Sequence, residues 1–143
     1  MRLAVYAAGK LRDAGLQALC AEYTKRIQPY CPLDLIECRD LAAMRSQWTR
    51  GDGPVISVLF DERGDQLTSR ELADRVAGWR SRGARVRLSI GDADGFTDGD
   101  RAGADHLLAL SRLTLPHRLV RVLVLEQLYR ALTLLSGHPY HRD

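Results

Sequence analysis

The chain closes on Tyr140, His141, Arg142 and Asp143, four consecutive side chains that between them donate, accept, titrate and carry charge of both signs. Histidine changes protonation near neutral pH and arginine holds anions, so the set suits proton transfer or the binding of an anionic partner. A chain end normally frays. Upstream, Ser111, Arg112, Leu113, Thr114, Leu115 and Pro116 form a proline-closed turn whose amides are free at a helix start, suited to the acceptor atoms of a ligand. A third candidate is the run GDADGFTDGD from Gly91 to Asp100, where Gly91 and Gly95 permit positive φ and close backbone approach.

Other chemistries lack their residues. No G-x-G-x-x-G follows a strand, and Gly9-Lys10 has neither the upstream glycine nor the following Ser or Thr of a phosphate loop. The aspartates at 92, 94, 98 and 100 fit no register of a calcium loop, which also needs a terminal glutamate. Asp98 reads as the N-cap of the helix that follows. His138 and His141 have no helical frame after Gly137 and Pro139, so no metal is expected. Three cysteines, Cys20, Cys31 and Cys38, form no C-x-x-C pair and read as reduced structural thiols. Net charge is +3, which permits a polyanionic partner without requiring one.

The elements that must position these residues alternate β and α. Apolar runs predict strands at Arg2 to Ala8 and Val55 to Phe60, Leu33 to Cys38 reads as another strand, and Arg85 to Ile90 as an alternating one. Leu16, Leu19, Cys20, Tyr23 and Ile27 recur at helical spacing before Pro29; Leu41, Met44 and Trp48 mark a second, short helix. Thr68 and Glu71 predict a capping box, with Leu67 stapled to Leu72, opening a helix that buries Val76 and Trp79. A short helix carrying His106 and a short strand fill 101–111. The last helix starts around Pro116 and is apolar on more than one side: Val120, Val124, Leu128, Ala131, Leu132 and Leu135 make a broad face, while Leu119, Leu123 and Leu134 fall among Arg121, Gln127 and Arg130. Such a helix buries two surfaces.

At 143 residues, 45% hydrophobic and 27% charged, the chain reads as one α/β domain over residues 1–143, with a mostly parallel sheet flanked by helices. No run spans a membrane, and Met1 to Ala8 lacks the sections of a signal peptide, so a cytoplasmic protein is expected. In parallel sheets ligands bind beyond the carboxyl ends of the strands. The loops there are Asp61 to Gln66, Gly91 to Asp100 and Ser111 to Pro116.

The C-terminal pattern L-T-L-P-H-x-L-V-R-V-L-x-x-E-x-L-Y-R-A at Leu113 to Ala131, followed by H-P-Y-H-R-D at His138 to Asp143, resembles the ribosomal RNA large-subunit methyltransferase H family of SPOUT methyltransferases. E-Y-x-x-R at Glu22 to Arg26, L-I-E at Leu35 to Glu37 and I-G-x-x-x-G at Ile90 to Gly95 extend the resemblance along the chain. It implies an α/β fold with a C-terminal trefoil knot, a homodimer, S-adenosylmethionine as cofactor, and methylation of N3 of a pseudouridine in 23S rRNA on assembled ribosomes.

Carried over, the cofactor contacts are Phe60, Gly91, Asp92 and Ser111 to Pro116 (Ser111, Arg112, Leu113, Thr114, Leu115, Pro116). The catalytic residues are Tyr140, His141 and Arg142: His141 or Tyr140 as proton acceptor, Arg142 on the developing imide anion or an rRNA phosphate. The tail of one subunit is expected to complete the pocket of the other. Two positions depart from the family pattern: Asp92 stands where a second glycine is usual, and Arg112 where a small residue is common. The alternative reading is a non-catalytic ribosome- or RNA-binding protein of the same fold.

Overall fold

The computed structural model describes residues 1–143. Five strands, β1 (Arg2–Ala8), β2 (Leu33–Cys38), β3 (Ile56–Gln66), β4 (Arg85–Ile90) and β5 (His106–Ala109), form one sheet in the order β2-β1-β4-β3-β5, and every pairing is parallel. Between and after them run α1 (Ala14–Ile27), α2 (Leu41–Trp48), α3 (Ser69–Ser81), α4 (Asp98–Ala102) and α5 (His117–Ser136).

Because side chains alternate across a strand, β1 sends Leu3, Val5 and Ala7 to one face and Ala8 to the other. The first face also carries Val58, Val86, Leu88 and Ile90 and is covered by α1, α3 and α5. The second is smaller. Leu41 and Met44 of α2, with Phe96 from the β4–α4 loop, pack there on Cys38 and Leu59. Helix α5 packs against α1 on one flank and α3 on the other. Its Leu125, Leu128 and Leu132 are sealed from solvent, each contributing about 1.5–3 kcal/mol of burial.

Caps explain the helix starts. Asp13, Asp40 and Thr68 accept backbone N–H groups two or three residues into α1, α2 and α3. At α3 only the Thr68 half of the expected capping box forms. A complete box occurs instead at α4, between Thr97 and Asp100, so Thr97 and not Asp98 is the N-cap. The hydroxyl of Thr97 reaches the third amide while Asp98 lies in the first turn, where its charge still favours the helix dipole.

Two further expectations are corrected. Asp61 to Gln66, read as a loop, continues β3, and His106, read as helical, lies in β5 opposite Val58. All three cysteines are free and buried. No helix is long and apolar enough to cross a membrane.

Candidate functional site

The distinctive backbone lies at the carboxyl ends of β3 and β5. Phe60 and Asp65 both register with Leu108, so Asp61 to Gly64 bulge out of the ladder. Gly64 makes this possible: a Cβ there would stand 2.5 Å from the backbone N and C of Leu108. The bulge is staked down through Asp61, whose carboxylate accepts from Arg63 N at 2.9 Å and from Arg101 Nε at 2.9 Å. The Arg101–Asp61 pair ties β3 to α4, as does Arg63 donating to Asp98 at 3.2 Å, while Arg101 also holds Asp98 within α4. A second pair, Arg45 to Asp100 at 2.6 Å, ties α4 to α2 and holds the Asp100 carboxyl down at about 2.

From β5 at the sheet edge the chain crosses to the middle of the helical layer. Residues 111–115 make this crossing with almost no bonds of their own: Leu113 N–H donates to Ser111 Oγ at 2.9 Å, and the N–H groups of Arg112, Thr114 and Leu115 have no acceptor within the chain. Pro116 precedes α5 without a side-chain cap, leaving the His117 and Arg118 amides open as well, while Leu119 N donates to Pro116 O at 2.9 Å. The landing point is fixed by Arg121, a buried cation that donates to Gly9 O at 3.0 Å and to Glu37. Glu37 is held below the usual carboxylate range by the Leu11 N–H first and by Arg121 as well. The sequence marks Arg121 only as a basic residue among apolar ones; its partners lie more than 80 positions away.

Under this crossing lies a cavity of about 540 Å³. Phe60, Ser111, Arg112, Leu113, Thr114 and Leu115 line it, with Asp61, Arg63, Leu108 and Val120 completing the walls. Pro116 stands just outside as the last residue before α5. Arg112 is exposed and has no side-chain partner. A smaller recess of about 220 Å³ shares Phe60 and Leu108 to Leu110 and runs to Leu123 and Gln127. Leu113, Leu119 and Leu123 stay in solvent, Leu113 at 77% exposure.

Gly91 and Asp92 do not line this cavity. Gly91 is buried against the Phe96 ring, 3.3 Å from where a Cβ would stand. Asp92 is not in the positive-φ region, so the missing glycine imposes no backbone strain there; Gly95, at φ +76°, takes that conformation. Asp92 shapes the loop by accepting from Asp94 N at 3.0 Å and Gly95 N at 3.0 Å.

The tail folds back onto its own chain. Gly137, at φ +76°, ends α5, and the amides of Gly137 and His138 return to Leu134 and Thr133 carbonyls. Tyr140 lies edge-on to Tyr129 at 4.7 Å and donates to Glu126 at 3.0 Å, while the Arg130 guanidinium covers its ring. Burial, with bonds to Tyr23 and Glu126, raises the Tyr140 pKa, so the phenol stays protonated.

His141 Nδ1 lies 3.1 Å from Arg130 and its Nε2 lies 2.8 Å from Asp143. A guanidinium only donates, so Nδ1 accepts and Nε2 carries the proton toward Asp143. Arg70 grips Asp143 with two nitrogens, at 2.7 and 3.1 Å, and Asp143 is held at about 2 by Arg70 and then His141. Arg142 is exposed and unpaired. No cluster of three metal-binding side chains occurs. Glu126 is six residues beyond Val120, where α5 meets the cavity, so the docked tail lies about 9 Å along α5 from it.

Residues 1–141 match the family described as "Predicted SPOUT methyltransferase". The chain belongs to the SPOUT methyltransferase family. Among its relatives are proteins named ribosomal RNA large subunit methyltransferase H from Geobacter metallireducens, 43% identical, and Methylobacillus flagellatus, 36% identical, each alignment covering 100% of both chains. The SPOUT fold is also seen in solved structures. A probable methylase family protein from Haemophilus influenzae superposes with a TM-score of 0.59 over 99% of this chain and 70% of that one, at 10% identity. The SpoU methyltransferase AviRb from Streptomyces viridochromogenes gives 0.52 over 95% and 61%, at 14% identity.

Proposed function

We propose that this SPOUT methyltransferase methylates large-subunit ribosomal RNA, at N3 of a pseudouridine in 23S rRNA on assembled ribosomes, using S-adenosylmethionine. The observation that carries the reading is the crossing at Ser111 to Leu115, whose unpartnered amides rim a cavity at the carboxyl ends of β3 and β5. It is supported by full-length relatives that bear that rRNA methyltransferase name.

The cavity fits the cofactor in kind. Its volume of about 540 Å³ lies in the range of small-molecule sites. Phe60 and Leu115 offer apolar surface, and the amides of Arg112, Thr114 and Leu115 offer donors for acceptor atoms, so Phe60 and Ser111 to Pro116 are assigned to hold it. Gly91 and Asp92 support the neighbouring loop through Phe96. When bound, S-adenosylmethionine supplies a methyl group on a sulfonium for in-line displacement.

What the chain contributes is position and charge. Tyr140, His141 and Arg142 are the catalytic candidates. Tyr140 is a protonated donor. His141 takes the N3 proton only when its contact with Arg130 opens, because Nδ1, the ring nitrogen with a lone pair, is engaged there in the docked tail while Nε2 already carries a proton toward Asp143. Arg142, the tail's free cation, stabilises the imide anion that the departing proton leaves behind.

The docked tail lies away from its own cavity, so the reading is a homodimer in which one subunit's tail serves the other's site. The solvent-facing Leu113, Leu119 and Leu123 beside the cavity supply an apolar surface for that contact. The reading includes the trefoil knot that the family resemblance implies, and the assignment is to one cytoplasmic domain.

Incubation with labelled S-adenosylmethionine and ribosomes lacking the modification, with and without the pseudouridine, tests the function. Label is expected in 23S rRNA only when the pseudouridine is present. No label in either sample refutes the reading.

A further inference from the structure

The end of the sheet opposite the cofactor cavity carries a second concave site. β1 and β4 begin there with Arg2 and Arg85, and α2 ends there at Trp48, two residues before Arg50. A pocket of about 140 Å³ opens between them, several times the share of one water, about 30 Å³. Arg2, Arg50, Arg85 and Arg87 line it, and Asp34 is its one carboxylate. The whole chain nets only +3, so this small lining gathers as much positive excess as the entire molecule carries.

The arginines keep donors in reserve. Arg87 bonds Trp48 O at 2.9 Å and Ser57 Oγ at 3.1 Å and stacks over the Trp48 ring at 5.1 Å, yet its Nε is shut from solvent without an acceptor. Arg85 donates to the Asp52 carbonyl at 2.7 Å, Arg2 donates to Asp34 at 3.2 Å, and the Arg50 guanidinium donates to nothing. The remaining acid near Arg87 is Asp105, whose carboxylate already accepts from Ser57 N at 2.7 Å. Buried cations normally find acceptors. Guanidinium groups recognise phosphate oxygens through paired N–H donors.

We propose that this pocket binds a phosphodiester group of RNA, a second anchoring point at the far end of the sheet from the methyl-transfer site. A strand of six residues separates the two ends by about 20 Å. A single nucleotide cannot span that separation, whereas a large folded RNA can. The proposal rests on the reading of rRNA as substrate, and Trp48, stacked under Arg87, reports on the pocket independently of methyl transfer.

The test is the full chain with two of the pocket's three exposed arginines neutralised, Arg50→Gln with Arg85→Gln, which leaves Arg87 and its partners in place. Affinity for unmethylated large ribosomal subunits is measured across a potassium chloride series. The expected result is affinity lower by roughly tenfold and a log–log salt slope shallower by about 1 for each phosphate that is no longer neutralised. KM for the subunits rises, while kcat at saturation and S-adenosylmethionine affinity stay at the unsubstituted values. Unchanged affinity and slope overturn the proposal.

Trp fluorescence is titrated in parallel with a short RNA duplex and with inorganic phosphate; Trp79, 1% exposed, is a constant background. A response to the duplex that disappears in the variant supports the site. A response to phosphate alone, or to neither, overturns RNA as its occupant. If the duplex response holds while no rRNA is methylated, the substrate reading fails and the pocket stands.

Discussion

Replacing Gly64 with alanine should damage the cavity proposed above to hold the cofactor without altering any side chain that lines it. The added Cβ would stand 2.5 Å from the N and C atoms of Leu108 and 2.6 Å from the C atom of Leu107. These are backbone atoms of β5 and cannot rotate away, so the bulge or the strand must move by about 1 Å to restore ordinary contact. Overpacking of this kind costs about 1–3 kcal/mol. Taking about 2 kcal/mol, a chain of this size loses about 6 °C in Tm. The bulge carries Asp61 and Arg63 and β5 leads directly into Ser111, so the shift is transmitted to both walls of the cavity. S-adenosylmethionine affinity by calorimetry should fall by at least roughly tenfold, equivalent to about 1.4 kcal/mol. Gly78→Ala is the control: that glycine lies inside α3 with nothing within 4 Å of the added carbon, and the change should stabilise by about 0.5–1 kcal/mol. A Gly64→Ala protein with unaltered Tm and cofactor affinity would refute the packing argument.

Deleting 138–143 should leave the fold, measured by thermal melting, and cofactor binding, measured by calorimetry, near their original values while methyl transfer to ribosomes is abolished; retained transfer would remove the tail from the mechanism. Arg101→Ala strips the Asp61 carboxylate, 3% exposed, of its cation, and both Tm and cofactor affinity should fall, with Asp61→Asn in the same chain recovering part of the loss. Asp143 is held at about 2 against an ordinary 3.8. Its depressed pKa means that tail docking is fully favoured above pH 3.8 and released as pH falls toward 2. In Arg70→Ala, release should begin at higher pH, and His141 ring shifts by NMR report it; an unchanged midpoint would separate Arg70 from the docking.

The strands are legible because VISVLF and RLAVYAA are apolar runs suited to a covered parallel sheet, while RVRLSI alternates polar and apolar residues at strand period. The run DERGDQ reads as a loop because its side chains are polar, and polarity here reflects a bulge beside a cavity. Nothing local announces that Gly64 must lie against Leu108. His106 misleads for a related reason: a four-residue edge strand is too short to establish a period. The crossing at Ser111 to Pro116 is readable from its proline and its place before an apolar helix, but its anchors are not. Arg121 meets Gly9 across 112 positions, and Asp143 meets Arg70 across 73. Such pairs are decided by which elements the topology brings together, and single-residue patterns do not encode them.

Helix α5 is the wedge that joins α1 to α3, and in chain order it follows every strand of the sheet. Until it arrives, the undersides of β1, β3 and β4 have no central cover, and Leu3, Val5, Val58 and Leu88 remain open to water. The same segment rims the cavity beneath 111–115 and carries the tail. A nascent chain stalled before Ser111 therefore has neither a closed core nor a ligand site, and both are completed in one step.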